Sequence, residues 1–233
     1  MTTIAVRLQA ARASIDKAVT NTGRQREHIA LIAVSKAQPA SSIREAYAQG
    51  QRLFGENYLQ EALDKQAQLN ELDIEWHFIG PIQSNKTQLI AQHFAWVHGV
   101  DRLKIAQRLN DARPAHLTPL QICIQVNVSN EQSKSGMQPE QVAALAQAIL
   151  AMPRLQLRGL MAIPAPTKDT GLQHKQFKMV RELFQQLNAA GFGLDTLSMG
   201  MSDDFAIAIA EGATMIRIGT AIFGARQPKP ESE

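Results

Sequence analysis

Lys36 ends the short apolar run LIAVSK, and at two-residue spacing before it stand Ile32 and Val34. Side chains of a strand alternate between its faces, so these three share one face, two apolar residues and then an amine. A lysine just past a strand is ordinarily solvated. On an inward face it is less common, because drawing an ammonium out of water is costly unless it is paired or neutral. A desolvated amine is a good nucleophile toward carbonyl carbon and forms Schiff bases. Far along the chain, MIRIGTAIFGAR puts Met215, Arg217 and Gly219 on one face of another strand. Arginine keeps its charge and needs a partner, either a structural ion pair or a ligand. Gly219 allows close backbone approach, and Thr220 opens a short helical stretch whose first N–H groups have no acceptor within it. In SMGMSDD, Ser202 stands where a helix N-cap is wanted, with Asp203 and Asp204 in the first turn. Ser202, Gly219 and Thr220 thus read either as a cap and a tight turn or as a cradle for phosphate. The two aspartates weigh against an anion unless they turn to solvent.

The elements that must position these residues alternate along the chain. Residues 2–20 read as an amphipathic helix with Ile4, Leu8, Ala11 and Ile15 on one face. Apolar runs at 29–36, 52–55, 75–80, 96–100, 120–126, 155–163, 196–199 and 215–218 read as eight strands. Helices are predicted over 41–49, 57–70, 84–93, 101–112, 139–151, 172–190 and 203–211. Ser84 and Asp101 stand at N-cap positions, Pro139 suits a first turn, and Gly50, Gly191 and Gly212 suit helix ends. Such alternation implies a parallel sheet covered on both faces. With one leading helix and no linker in 233 residues, the pattern favours a single α/β domain over residues 1–226, a (β/α)8 TIM-type barrel with an extra N-terminal helix. A doubly wound open sheet is the alternative. The last residues, 227–233, read as a frayed tail.

Barrel closure sets the last strand beside the first. Active sites of such barrels lie at the C-terminal strand ends, frequently with a phosphate site in the loops after strands seven and eight. Lys36, Arg217 and the two loops then describe one pocket suited to a phosphorylated aldehyde.

Composition excludes several other roles. The formal charge is +3, from 24 Lys and Arg against 21 Asp and Glu, with no run of basic residues interleaved with aromatics. Nucleic acid is therefore not an expected partner, although a small positive bias helps to attract a phosphorylated ligand. No stretch approaches the roughly 18 apolar residues of a membrane span, and the start of the chain does not read as a signal peptide. The single cysteine, Cys123, lies in an apolar run and reads as a core residue, with no disulfide or metal cluster in view. A cytoplasmic protein is expected.

The segments VSK, FGENY, WHFIGPIQSNK, NVSNEQSKSG, GLMAI, SMGMSDD and RIGTAIFGAR occur in this order. Over roughly residues 4 to 226 they resemble the pyridoxal phosphate homeostasis protein family, itself similar to the N-terminal barrel of alanine racemase. The resemblance implies pyridoxal 5′-phosphate (PLP) as cofactor, bound covalently to Lys36 as a Schiff base. It further implies that Arg217 faces the pyridine nitrogen, that Ser202, Gly219 and Thr220 hold the phosphate, and that Asn57, His77 and Met199 line the pocket. The implied role is to carry or buffer PLP and keep vitamin B6 in balance, without catalytic turnover, as a monomer with apo PLP enzymes as recipients.

The residues agree with a modest role. An arginine beside the ring nitrogen disfavours its protonation, and an unprotonated ring is a weaker electron sink. Racemisation needs acid–base groups on both faces of the substrate carbon. The two tyrosines, Tyr47 and Tyr58, both lie in the N-terminal half, and no second domain is expected after Arg226. A PLP-dependent racemase and a cofactor-free Schiff-base aldolase remain the alternatives. His77 reads also as a core histidine, Lys86 as an exposed helix residue or an anion contact, and Lys134 as part of a flexible loop or of a lid over the mouth.

Overall fold

In the computed structural model, which describes residues 3–129 and 135–224, eight parallel strands close on themselves in chain order. They are β1 (Ala30–Val34), β2 (Leu53–Glu56), β3 (Glu75–Phe78), β4 (Trp96–Val100), β5 (Leu120–Val126), β6 (Leu155–Ala162), β7 (Thr196–Ser198) and β8 (Met215–Ile218). The barrel is thus the one expected, each strand lying within about two residues of its sequence-based bounds. The seam pairs β1 with β8, Ile32 standing opposite Arg217 and Ala33 opposite Ile218.

Helices follow the strands on the outside. They are α1 (Ile4–Asn21), α2 (Ala40–Ala48), α3 (Leu59–Gln68), α4 (Thr87–His93), α5 (Leu103–Ala112), α6 (Pro139–Leu150), α7 (Thr170–Ala189), α8 (Phe205–Ala210) and α9 (Thr220–Phe223). Gly50, Gly191 and Gly212 sit just past α2, α7 and α8 with φ of 81°, 88° and 98°, the left-handed conformation that ends helices. The expected caps fare worse. Ser84 opens a 3-10 turn ahead of α4, and its carbonyl accepts the Thr87 hydroxyl at 2.9 Å. Asp101 turns to the Arg102 guanidinium at 2.7 Å instead of capping α5. Ser202 does not cap α8, which begins only at Phe205, because the Asp204 carboxylate takes the Met201 N–H at 2.6 Å and holds the chain in a turn. Side-chain caps are made instead by Thr3 on α1 and Asp169 on α7.

The core has two compartments. The larger lies between strands and helices, with Phe54, Phe94, Phe177, Ile105 and Leu109 fully buried. A smaller cluster of Trp96, Cys123 and Met161, with Met215 packed against it, fills the lumen. The leading helix α1 lies against α2, α8 and α9, over the seam where the barrel closes, and buries Ile4, Leu8, Ala11 and Ile15 there.

Ile15 is wholly enclosed, so Ile15→Ala is expected to cost about 2–5 kcal/mol of stability. A urea unfolding midpoint unchanged by this substitution would show that α1 is not part of the folded core.

Candidate functional site

At the C-terminal ends of the strands a cavity of about 230 Å³ opens, bounded by Val34, Ile79 and Ile163 on its apolar side. Six of the eight residues singled out in the sequence line it: Lys36, Asn57, Ser202, Arg217, Gly219 and Thr220. Asp203 also lines it and is exposed. The other two lie elsewhere. Met199 is fully buried in the layer between barrel and helices, because it alternates with the inward Ser198. His77 is fully buried below the cavity, inside the lumen. Lys86 belongs to an adjoining hollow of about 360 Å³ with Asn57 and Tyr58. Lys134 lies outside the described residues.

The turn that carries Lys36 is held from behind by buried charges. Glu56, at the end of β2, accepts from the Ser35 hydroxyl at 2.6 Å and from Lys65 of α3 at 2.7 Å. Lys65 also donates to the Ser35 carbonyl at 2.7 Å and to Glu61 at 2.6 Å, and Glu61 accepts the Ala37 N–H at 2.6 Å. The backbone is therefore gripped on both sides of Lys36. Ala37 adopts φ 58°, a left-handed conformation that costs an L residue about 1–2 kcal/mol; the Glu61 contact supplies one of the bonds that hold it there. Burial pushes the Glu56 carboxyl upward, against the Lys65 ammonium that draws it down.

Arg217 stands one strand away and points inward. Its Nη1 donates to the Ser198 carbonyl and hydroxyl, both at 2.7 Å, and its Nη2 donates to the Ala162 carbonyl at 2.9 Å. Burial brings the guanidinium down to about 10, with Asp204 opposing, so it remains a cation at neutral pH. Beneath it the lumen is polar. The Ser198 hydroxyl is 2.8 Å from His98 Nδ1, His98 Nε2 is 2.9 Å from His77 Nδ1, and His77 Nε2 is 3.0 Å from the Glu75 carboxylate. Burial lowers both imidazoles, His98 well below the usual histidine range. Burial likewise raises the Cys123 thiol to about 12, which leaves it inert.

Two close approaches shape the mouth. The loop after β7 is bonded to β8 through the Arg217 N–H and the Gly200 carbonyl, 3.0 Å apart. Gly200 has φ 95°, and a Cβ there would stand 2.6 Å from that of Ala208, so only glycine seats this loop over α8. A Cβ on Gly80 would come within 2.4 Å of the Asn57 carbonyl, which is how β3 lets the Asn57 backbone settle at the rim. The Asn57 side-chain Oδ1 is buried without a hydrogen-bond partner among the described residues.

The lumen residues Glu75, His98 and Ser198, and the pin formed by Glu56, Glu61 and Lys65, were not found from sequence. For the lumen a signal existed: Glu75 is in phase with His77, and Trp96 with His98, on strands whose inward faces are otherwise apolar. The pin joins residues on the outward phase of β1 and β2 to a helix, and no local spacing marks it.

A family model described as the alanine racemase N-terminal domain matches residues 6–227. The pyridoxal phosphate homeostasis protein of Pseudomonas aeruginosa is 60% identical over 226 residues, covering 97% of each chain. That of Escherichia coli is 54% identical over 229 residues, covering 97% of this chain and 98% of the relative. Among solved structures, PipY of Synechococcus elongatus with PLP bound superposes with a TM-score of 0.84 at 38% identity, over 95% of this chain and all of that one.

Two outcomes follow from the geometry. Lys65→Met would leave Glu56 and Glu61 without their cation, at an expected cost of about 3–5 kcal/mol; an unchanged unfolding midpoint in urea would mean the pin contributes nothing. Because burial lowers His77 and His98, the unfolded chain takes up protons below about pH 6.5 that the fold refuses, so their contribution to stability is full above that pH and drains away as pH falls. Burial raises Glu56 and Asp204 and so acts in the opposite sense. The comparison is therefore with His98→Gln, which should soften the acid loss by up to about 1.4 kcal/mol per pH unit. Parallel stability curves for the two proteins between neutrality and mild acid would contradict neutral burial of His98.

Proposed function

The chain belongs to the pyridoxal phosphate homeostasis protein family, built on the alanine racemase N-terminal domain, and on that premise we propose that it binds PLP reversibly and carries or buffers it. One observation carries the reading: an amine (Lys36), an enclosed guanidinium (Arg217) and a loop pair with Ser202, Gly219 and Thr220 wall a single cavity.

The donor set fits the cofactor. Lys36 is the nucleophile for the aldehyde carbon and holds PLP covalently in this reading. The Ser202 hydroxyl and the first N–H groups of the Gly219–Thr220 turn are donors of the kind a phosphate needs. Asp203 faces the same cavity and is exposed, so its charge is spent largely on water. Asp204 turns away, its carboxylate on the Met201 N–H. The enclosed Asn57 Oδ1 is an acceptor awaiting a donor. PLP supplies an electrophilic carbon and an electron-withdrawing ring when bound. Arg217 limits that ring, since a cation already held by Ser198 and Ala162 penalises a second proton beside it.

That limit favours storage over turnover. Of the two tyrosines, Tyr47 lies under Arg52 on the outer surface, 3.8 Å from the guanidinium carbon to the ring centre, and Tyr58 is 59% exposed beside the neighbouring hollow. Neither lines the cavity as described. No helix among the described residues is long and apolar enough to cross a membrane. In this reading the protein acts in the cytoplasm as a monomer and gives its cofactor to apo PLP enzymes.

Protein mixed with PLP is expected to turn yellow, and borohydride to fix one cofactor mass on the peptide containing Lys36; Lys36→Ala should lose both. A colourless protein, or a label on another lysine, overturns the reading. Incubation with an amino-acid panel in deuterated water is expected to give no α-carbon exchange above that of free PLP, and exchange well above it would make the protein an enzyme.

A further inference from the structure

The contacts beneath Arg217 form a chain with a definite direction. A guanidinium only donates, so Ser198 Oγ accepts along the 2.7 Å contact. Beyond it two proton arrangements are open. In the first, the Ser198 hydroxyl donates to His98 Nδ1, His98 Nε2–H to His77 Nδ1, and His77 Nε2–H to Glu75 Oε1, over 2.8, 2.9 and 3.0 Å. In the second, every proton points back toward the pocket, and His77 Nε2 meets the Glu75 oxygen lone pair against lone pair. An ionised carboxylate cannot donate, so only the first arrangement satisfies the chain.

The surroundings of each member support the same assignment. The hydrogen bond from His77 holds the Glu75 carboxyl below the usual range, with Arg158 and the Trp96 N–H acting in the same sense. Burial keeps both histidines neutral, and Arg217 adds to the penalty for charging His98. The His77 ring is stacked on Trp96, centroids 5.6 Å apart and planes within 16°, which fixes its orientation. Glu75 begins β3 at the N-terminal end of the barrel, and its side chain is 45% exposed there. Arg217 faces the cavity at the other end. The chain therefore runs the length of the lumen, from a carboxylate in contact with water to an enclosed cation.

We propose that Glu75 sets the direction of the hydrogen bonds through His77, His98 and Ser198 and so orients the Arg217 guanidinium toward the cofactor, making these four positioning residues outside the pocket. Their action on the pocket rests on PLP binding as read above; the direction of the chain does not. A glutamine at position 75 can donate as well as accept, so Glu75→Gln permits both histidines to turn their protons about. Ser198 Oγ then receives two donors, one from His98 and one from Arg217, which fills both its lone pairs and leaves its own proton without His98 as acceptor; the guanidinium keeps its two carbonyls, and its serine contact is no longer fixed.

Nitrogen NMR of the PLP-free protein with labelled histidine tests the direction at neutral pH. His77 and His98 are expected to carry their protons on Nε2, and Glu75→Gln is expected to move protons to Nδ1. A wild-type proton on Nδ1 of either ring, or tautomers unmoved by Glu75→Gln, overturns the proposal. PLP titration followed by visible absorption tests the coupling. Glu75→Gln should weaken PLP about three- to tenfold, toward the lower end of couplings within one hydrogen-bond network, and shift the bound absorption maximum. In a Ser198→Ala background, which cuts the chain, the same substitution should change affinity by less than about twofold. An equal loss in both backgrounds would mean that Glu75 acts by stability alone and overturns the coupling. If wild-type protein fails to take up PLP, the functional reading falls while the NMR result still decides the chain.

Discussion

One parallel strand pair carries the rest of the structure. β1 lies beside β8 with Ile32 level with Arg217, and this seam brings residues nearly 200 positions apart into one cavity. The amine comes from the first strand's end, the guanidinium from the last strand, and the loop seating Ser202 is tied to that last strand through the Arg217 N–H. The leading helix covers the seam from outside. A barrel that failed to close would keep each residue and lose the site, since neither strand alone holds both an electrophile's partner and an anion's.

The interior of the barrel serves the same end by an unusual filling. Bulky aliphatic layers normally pack such lumens. Here a polar chain runs between Trp96, Cys123 and Met161, and every member has a partner. A buried arginine is tolerable only where its donors are met, and Arg217 meets two backbone carbonyls and a serine. The charge at the cavity wall is thus a property of the barrel as a whole, with its supports on β3, β4, β6 and β7.

How much of this was legible in the chain differs by residue. Strand alternation located Lys36 and Arg217 on inward faces, and closure predicted their proximity, because both depend only on period and order. Position at the ends of the last two strands pointed to Ser202, Gly219 and Thr220, and the long motifs added Asn57; all four share the cavity. Asn57 was expected to open a helix, but Gly80 lets its backbone settle at the rim, and α3 starts two residues later. Ser202 was expected to cap α8, but the Asp204 and Phe205 N–H groups that such a cap would take bond the Met201 carbonyl instead. His77 was expected in the pocket, yet its strand enters the lumen one layer lower and its ring pairs with His98. The charge pin escaped notice because Glu56 and Lys65, nine residues apart, meet only once the helix folds back on its strand.

That pin has a thermal character of its own. The hydration of charged groups carries a strongly negative entropy, so enclosing Glu56 and Lys65 becomes less costly as temperature rises, while the stabilisation from apolar burial levels off. Warming therefore shifts the balance of forces at the Lys36 turn toward its ionic clamp. The backbone that carries Lys36 is tethered by the part of the molecule that heat penalises least.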